Sequence, residues 1–142
     1  MSQVTEARTQ IECRCGAVGV ELRGEPLLQF YCHCDDCQAV HGAAFVPVAM
    51  YKTDAVSIVR GEASSWSLRT TPRRTCPACG TRLFAEPNPR VRGVTAYLLP
   101  AGLFKPTFHI QCRFAVLPVR DDLPHYRSLP ARLGGADETV DW

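Results

Sequence analysis

A mainly β fold of small antiparallel sheets, with at most one or two short helices, is what this sequence predicts. Ten glycines and eleven prolines cut the 142 residues into short pieces. Most of those pieces are rich in Val, Phe, Leu and Tyr and alternate partly in polarity, the signature of half-buried strands. Cysteines grouped as C-x-C and C-x-x-C put paired sulfurs at tight turns, as knuckles at strand ends require.

Taken in order, residues 17–22, 27–31 and 44–51 read as strands bounded by Gly, Pro or charged turns. Residues 55–60, 65–70, 91–98 and 107–116 continue the pattern. One helix is expected, over residues 35–41: Asp35 can cap it, Asp36 suits the positive end of its dipole, and Gly42 can close it. Proline-rich stretches at 87–89 and 100–106 read as loops. The expected organisation is a flexible N-terminal tail at 1–10, one domain at 11–132 and a loosely attached C-terminal tail at 133–142.

Bulk properties exclude several function classes. The chain is 46% hydrophobic and 21% charged, and no apolar run approaches the roughly 20 residues of a membrane span, so no membrane partner is expected. A net charge of +2, without a run of five basic residues, gives no footprint for nucleic acid. The first ten residues are polar and include Glu6, unlike a secretory signal or an acid-poor transit peptide, so a cytoplasmic location is expected. The densest basic patch, Arg69, Arg73 and Arg74, reads as a solvated edge or as an attractor of a small anion.

Eight cysteines carry most of the chemical signal. They are Cys13 and Cys15 in CRCG, Cys32, Cys34 and Cys37 in CHCDDC, Cys76 and Cys79 in CPACG, and Cys112 alone. In this setting such spacings point to metal rather than to a disulfide framework. Zinc takes a tetrahedron of thiolates or imidazoles, and CPACG offers two. Cys13 and Cys15 are the natural partners for Cys76 and Cys79, completing a structural site. Cys32, Cys34 and Cys37 then remain, one ligand short of a closed site, which is the pattern of a catalytic zinc with an exchangeable position. The fourth place could instead be filled by His33, His41, His109 or Cys112, giving a second closed site. Cys112 reads otherwise as a small buried hydrophobe, and Phe45 and Trp66 as core.

In sequence order, CRCG, CHCDDC followed by GAAF, CPACGTRLF, PTFHI and DDLPHY resemble the glutathione-dependent formaldehyde-activating enzyme family over about residues 11–130. The resemblance implies a β-tent fold with two zinc ions per chain, one held by Cys13, Cys15, Cys76 and Cys79, the other by Cys32, Cys34 and Cys37. It also implies a carbon–sulfur lyase that joins formaldehyde reversibly to glutathione, so the expected partners are a glutathione-like thiol and an aldehyde. The catalytic residues would be Cys32, Cys34 and Cys37, with the open zinc activating the thiol. A non-catalytic, zinc-stabilised glutathione carrier or macromolecule-binding scaffold is the competing reading. The chain departs from the family's usual pattern in carrying His41 before Gly42 and in lacking Trp within 115–119.

Overall fold

The computed structural model describes residues 6–142. Strand β1 (Arg8–Glu12) runs antiparallel to β2 (Gly19–Arg23), which pairs on its other edge with β5 (Val56–Arg60). The side-chain period of two sends Ile11, Val20, Leu22 and Val56 inward. On the outer face of the same strands, Glu21 accepts hydrogen bonds from Arg8 and Gln10, each at 2.9 Å.

The second sheet has seven strands in the order β10-β3-β4-β9-β8-β7-β6. They are β3 (Leu28–Cys32), β4 (Val46–Lys52), β6 (Ser64–Ser67), β7 (Pro72–Thr75), β8 (Arg82–Asn88), β9 (Val91–Thr95) and β10 (Phe108–Ile110). Every neighbouring pair is antiparallel except β10 with β3, which places Ile110 beside Cys32. One apolar cluster joins the sheets, with Ile11, Val18, Val20 and Leu22 from the first meeting Tyr51, Leu83, Phe84 and Val94 from the second. A smaller cluster around Phe30, Phe108 and Ile110 lies beneath Cys32. Among the described residues no helix is long and apolar enough to cross a membrane.

The architecture is mainly β, as predicted, and several boundaries differ for physical reasons. Strand β1 begins at Arg8, inside the stretch expected to be a tail; its outward charges hide its pairing from a hydropathy reading. Residues 1–5 of that expected tail lie outside the described residues. Strand β7 reads PRRT, and β8 carries Pro87; the proline is tolerated because the register breaks between Ala85 and Asn88. The expected strand at 107–116 stops after Ile110, where Gln111 adopts φ 57° and a short 3-10 turn takes Cys112 to Phe114.

The segment expected to be a loose tail at 133–142 is tied down. Arg127 N donates to Glu138 O at 2.8 Å, Val140 N to His125 O at 2.9 Å, and the Trp142 ring packs 5.1 Å from that of His33. Helix α1 (Asp35–His41) has the expected span, but its cap is Cys34 rather than Asp35. The Cys34 sulfur accepts the Cys37 N–H at 3.1 Å, and Asp35 and Asp36 sit in the first turn.

Candidate metal centres and the adjoining cavity

The turn after β1 and the turn before β8 meet across the gap between the two sheets. In the first, Gly16 N donates to Cys13 O and Cys13 N to Val18 O, both at 3.0 Å. In the second, Cys76 N reaches Thr81 O at 3.0 Å and Gly80 N reaches Cys76 O at 2.9 Å. Gly80 adopts φ +78°, a conformation that a side chain would strain, so the C-x-x-C-G pattern is a backbone requirement of this turn. Two like turns placed face to face bring Cys13, Cys15, Cys76 and Cys79 together, with all four sulfurs within 4.8 Å of one another.

The separations fit a metal. Cys13 and Cys15 sulfurs are 3.6 Å apart, and those of Cys15 and Cys76 3.8 Å. A tetrahedron with metal–sulfur bonds of about 2.3 Å has edges of about 3.8 Å. Backbone amides already stabilise negative sulfur here: Val18 N donates to Cys13 Sγ at 3.2 Å. The Thr81 hydroxyl, 3.1 Å from Cys79 Sγ, holds that thiol down to about 5.

The second set lies at the end of β3 and the start of α1. Cys32, Cys34 and Cys37 bring their sulfurs within 4.8 Å of one another, with Cys32 and Cys37 3.4 Å apart. The hydrogen bonds from Cys32, then from Cys37, pull the Cys34 thiol down to about 3. Cys37 is lowered by Cys32, but its contact with Cys34 and its burial push it up to about 12. These hydrogen bonds, with the positive charge of Arg73, favour the thiolate form at Cys34 over its two neighbours.

None of the four alternative ligands converges on these sulfurs. His33, alternating with Cys32 and Cys34, turns to the opposite side and meets His109. His109 belongs to a separate set with Asp121 and His125. Cys112 is buried, and burial pushes its thiol up to about 12, so it behaves as a small hydrophobe. His41 comes nearest in function, since its side chain lines the same cavity as the triad. Burial, reinforced by Arg73 and Arg82, pulls His41 down to about 4, leaving it neutral near pH 7.

That cavity has a volume of about 290 Å³. Val46, Val48, Met50 and Phe84 form its apolar walls, with Cys32, Cys34 and Cys37 at one end and Arg73 exposed to its interior. Arg73 is 7% exposed and pairs with no carboxylate among the described residues; its one hydrogen bond is to Thr71 O at 3.2 Å. Its neighbours in the basic patch are committed elsewhere, Arg69 to Asp35 and Asp36, and Arg74 to Glu86. The patch seen in sequence thus divides into two paired arginines and one inward-facing charge. Phe45 meets Tyr31 edge to face and His33 at a tilt, and Trp66 donates to Thr75; neither lines the cavity.

A model of the glutathione-dependent formaldehyde-activating enzyme matches residues 8–116. The chain belongs to this family. The crystal structure of a Rhodobacter sphaeroides protein is similar in fold, with a TM-score of 0.54 and 24% sequence identity, covering 65% of this chain and 88% of that one. No curated protein matches the chain. The family match includes the seven clustered cysteines and β10, and stops before the segment that carries Asp121, His125 and Trp142. That segment holds the site residues a sequence reading misses. DDLPHY offers only one histidine there, and nothing in its spacing announces that His125 lies beside His109.

Proposed function

We propose that this protein is a zinc-dependent carbon–sulfur lyase that reversibly joins an aldehyde to an anionic, glutathione-like thiol at the Cys32, Cys34 and Cys37 end of the cavity. The observation that carries this reading is the shared enclosure of a three-cysteine donor set and an unpaired, buried arginine. Cys13, Cys15, Cys76 and Cys79 would hold a structural zinc; Cys32, Cys34 and Cys37 would hold the second. When bound, that second zinc supplies a soft acceptor for the substrate sulfur and lowers the thiol pKa.

The chain's own groups then account for recognition and orientation. Burying a guanidinium without a counter-charge is costly, so Arg73 is a ready partner for a substrate carboxylate. The apolar walls exclude water and would pack on the aliphatic part of the thiol. His41, neutral near pH 7, can donate its ring N–H to the aldehyde oxygen as the carbon–sulfur bond forms. The thiol loses one proton and the carbonyl oxygen gains one, so the addition is balanced and needs no redox partner. The family match and the donor chemistry support the reading.

The test is calorimetric titration of glutathione into zinc-loaded protein and into Cys34→Ser, followed by exchange NMR of formaldehyde with glutathione. The expected result is binding that disappears in Cys34→Ser while the four-cysteine site keeps its zinc, with exchange faster than the uncatalysed rate. Equal binding by both proteins, or no acceleration, would overturn the proposal.

A further inference from the structure

A third set of donors lies on the far side of β3 from the cavity. His109 on β10 is fully buried, and His125 is 8% exposed. The backbone locks them side by side, with His109 N donating to Pro124 O at 2.9 Å and Tyr126 N to His109 O at 3.0 Å. Their rings are tilted by 40° to each other with centroids 4.5 Å apart. Asp121 reaches both: its Oδ2 is 2.8 Å from His109 Nε2 and its Oδ1 3.0 Å from His125 Nε2.

The second contact is the informative one. Although His125 Nε2 is 3.0 Å from a carboxylate oxygen, it is buried without a hydrogen-bond partner. The distance is met and the direction is not, so the ring nitrogen points beside the carboxylate rather than at it. A buried ring nitrogen left in this way has an unmet electrostatic need. A cation seated between the two imidazoles and Asp121 would meet it.

We infer that His109, Asp121 and His125 form a third metal site, selective for a first-row divalent ion such as Zn²⁺ or Fe²⁺. All three donor atoms lie within 4.8 Å of one another. His109 Nε2 lies 2.8 Å from one Asp121 oxygen and His125 Nε2 3.0 Å from the other, so the three side chains converge on one point where an ion could be held. Two nitrogens and one oxygen suit a borderline metal better than Mg²⁺ or Ca²⁺, which take oxygen ligands. Two neutral imidazoles and one carboxylate leave a bound divalent ion with net charge +1.

The surroundings fit the role. A histidine ligand usually spends its other ring nitrogen on an orienting hydrogen bond, and His109 Nδ1 lies 2.9 Å from His33 Nε2. In the loaded site His109 donates from Nδ1 to His33. Asp121 is itself held by the Leu123 N–H at 3.1 Å. Trp142 covers the pair, 4.6 Å from the His125 ring and 5.9 Å from that of His109. None of these donors belongs to either cysteine set, so this site stands apart from the lyase reading.

The experiment is metal analysis of the full chain after zinc saturation and buffer exchange, comparing wild type with Asp121→Asn and His125→Ala. The expected result is one zinc per chain fewer in each variant, whatever the occupancy of the cysteine sites. Identical content in wild type and variants would show a hydrogen-bonded clamp only and overturn the site. Should the variants fail to fold, cobalt titration of wild type decides the matter. A further equivalent that adds weak visible bands after the thiolate charge-transfer absorption has saturated supports the site. An end point at that saturation overturns it.

Discussion

His33 and His109 face each other through ring nitrogens 2.9 Å apart, with both side chains fully buried. His33 sits between two cysteines of the triad, and His109 is on the strand that walls it, so the contact fastens β3 to β10 from behind. His109→Ala removes its bonds to both His33 and Asp121 and leaves a void. The expected cost is about 2–4 kcal/mol, combining an unpaired buried polar group with a cavity. Urea denaturation followed by tryptophan fluorescence would measure it, and a loss below about 1 kcal/mol would contradict the arrangement.

The two cysteine sets should separate on mutation. Cys79→Ser breaks the clip between the sheets, which joins turns 61 residues apart at Cys15 and Cys76. It is expected to lower Tm by more than about 10 °C and to release a metal ion. Cys34→Ser, which leaves a hydroxyl to cap α1, should cost less than about 1 kcal/mol and lose one metal ion. Differential scanning calorimetry paired with metal analysis distinguishes the two.

Arg73→Ala should weaken an anionic thiol by roughly 10- to 150-fold, corresponding to about 1.5–3 kcal/mol for a charged hydrogen bond. Zinc content should not change, and a neutral thiol of similar size should bind equally to variant and wild type. Titration calorimetry with both thiols gives the comparison. Equal weakening for the two would move Arg73 from recognition to support of the triad.

Acid sensitivity follows from the buried imidazoles. Burial holds His33 and His41 down to about 4, against 6.5 in an unfolded chain. Their lowered values favour the folded state fully above about pH 6.5, and that contribution is lost as pH falls from 6.5 through 4. The urea midpoint is therefore expected to fall across that window. His41→Gln should flatten part of the slope; an unchanged slope would mean that His41 protonates freely in the folded protein.

Gly61 takes φ +73°, and a Cβ there would collide with the Ala17 carbonyl oxygen beside the CRCG turn. Gly61→Ala should cost at least about 2 kcal/mol and loosen metal retention at the four-cysteine set. Thermal melts with and without a chelator would reveal both effects.

The residues legible in the sequence are those whose chemistry is encoded by near neighbours. C-x-C, C-x-x-C and the Gly that follows specify their own turns, so spacing alone groups the clustered cysteines. The helix is legible through Asp35, Asp36 and Gly42, although its cap is a cysteine sulfur, which cap statistics do not favour. Arg73 can be placed in a basic patch but not aimed inward, because its direction depends on the pairing of β7 with β8. His109 and His125 are joined by a parallel bridge, with Asp121 reaching both, and no local period encodes such a bridge. Strands β7 and β8 escape a local reading because arginines and a proline occupy sheet positions whose tolerance is set by neighbours.

The parallel pairing of β10 with β3 also imposes a timetable on synthesis. Ile110, which lies opposite Cys32, follows it by 78 positions (110 minus 32). At about 5–20 residues per second the ribosome needs roughly 4 to 16 s to supply that stretch. Throughout that interval the nascent chain presents Cys32, Cys34 and Cys37 without the strand that later shelters them. On the proposed function, metal capture and oxidation would then compete for the same three sulfurs, and the supply of zinc and thiol during translation would help decide how much of the finished protein carries an intact triad.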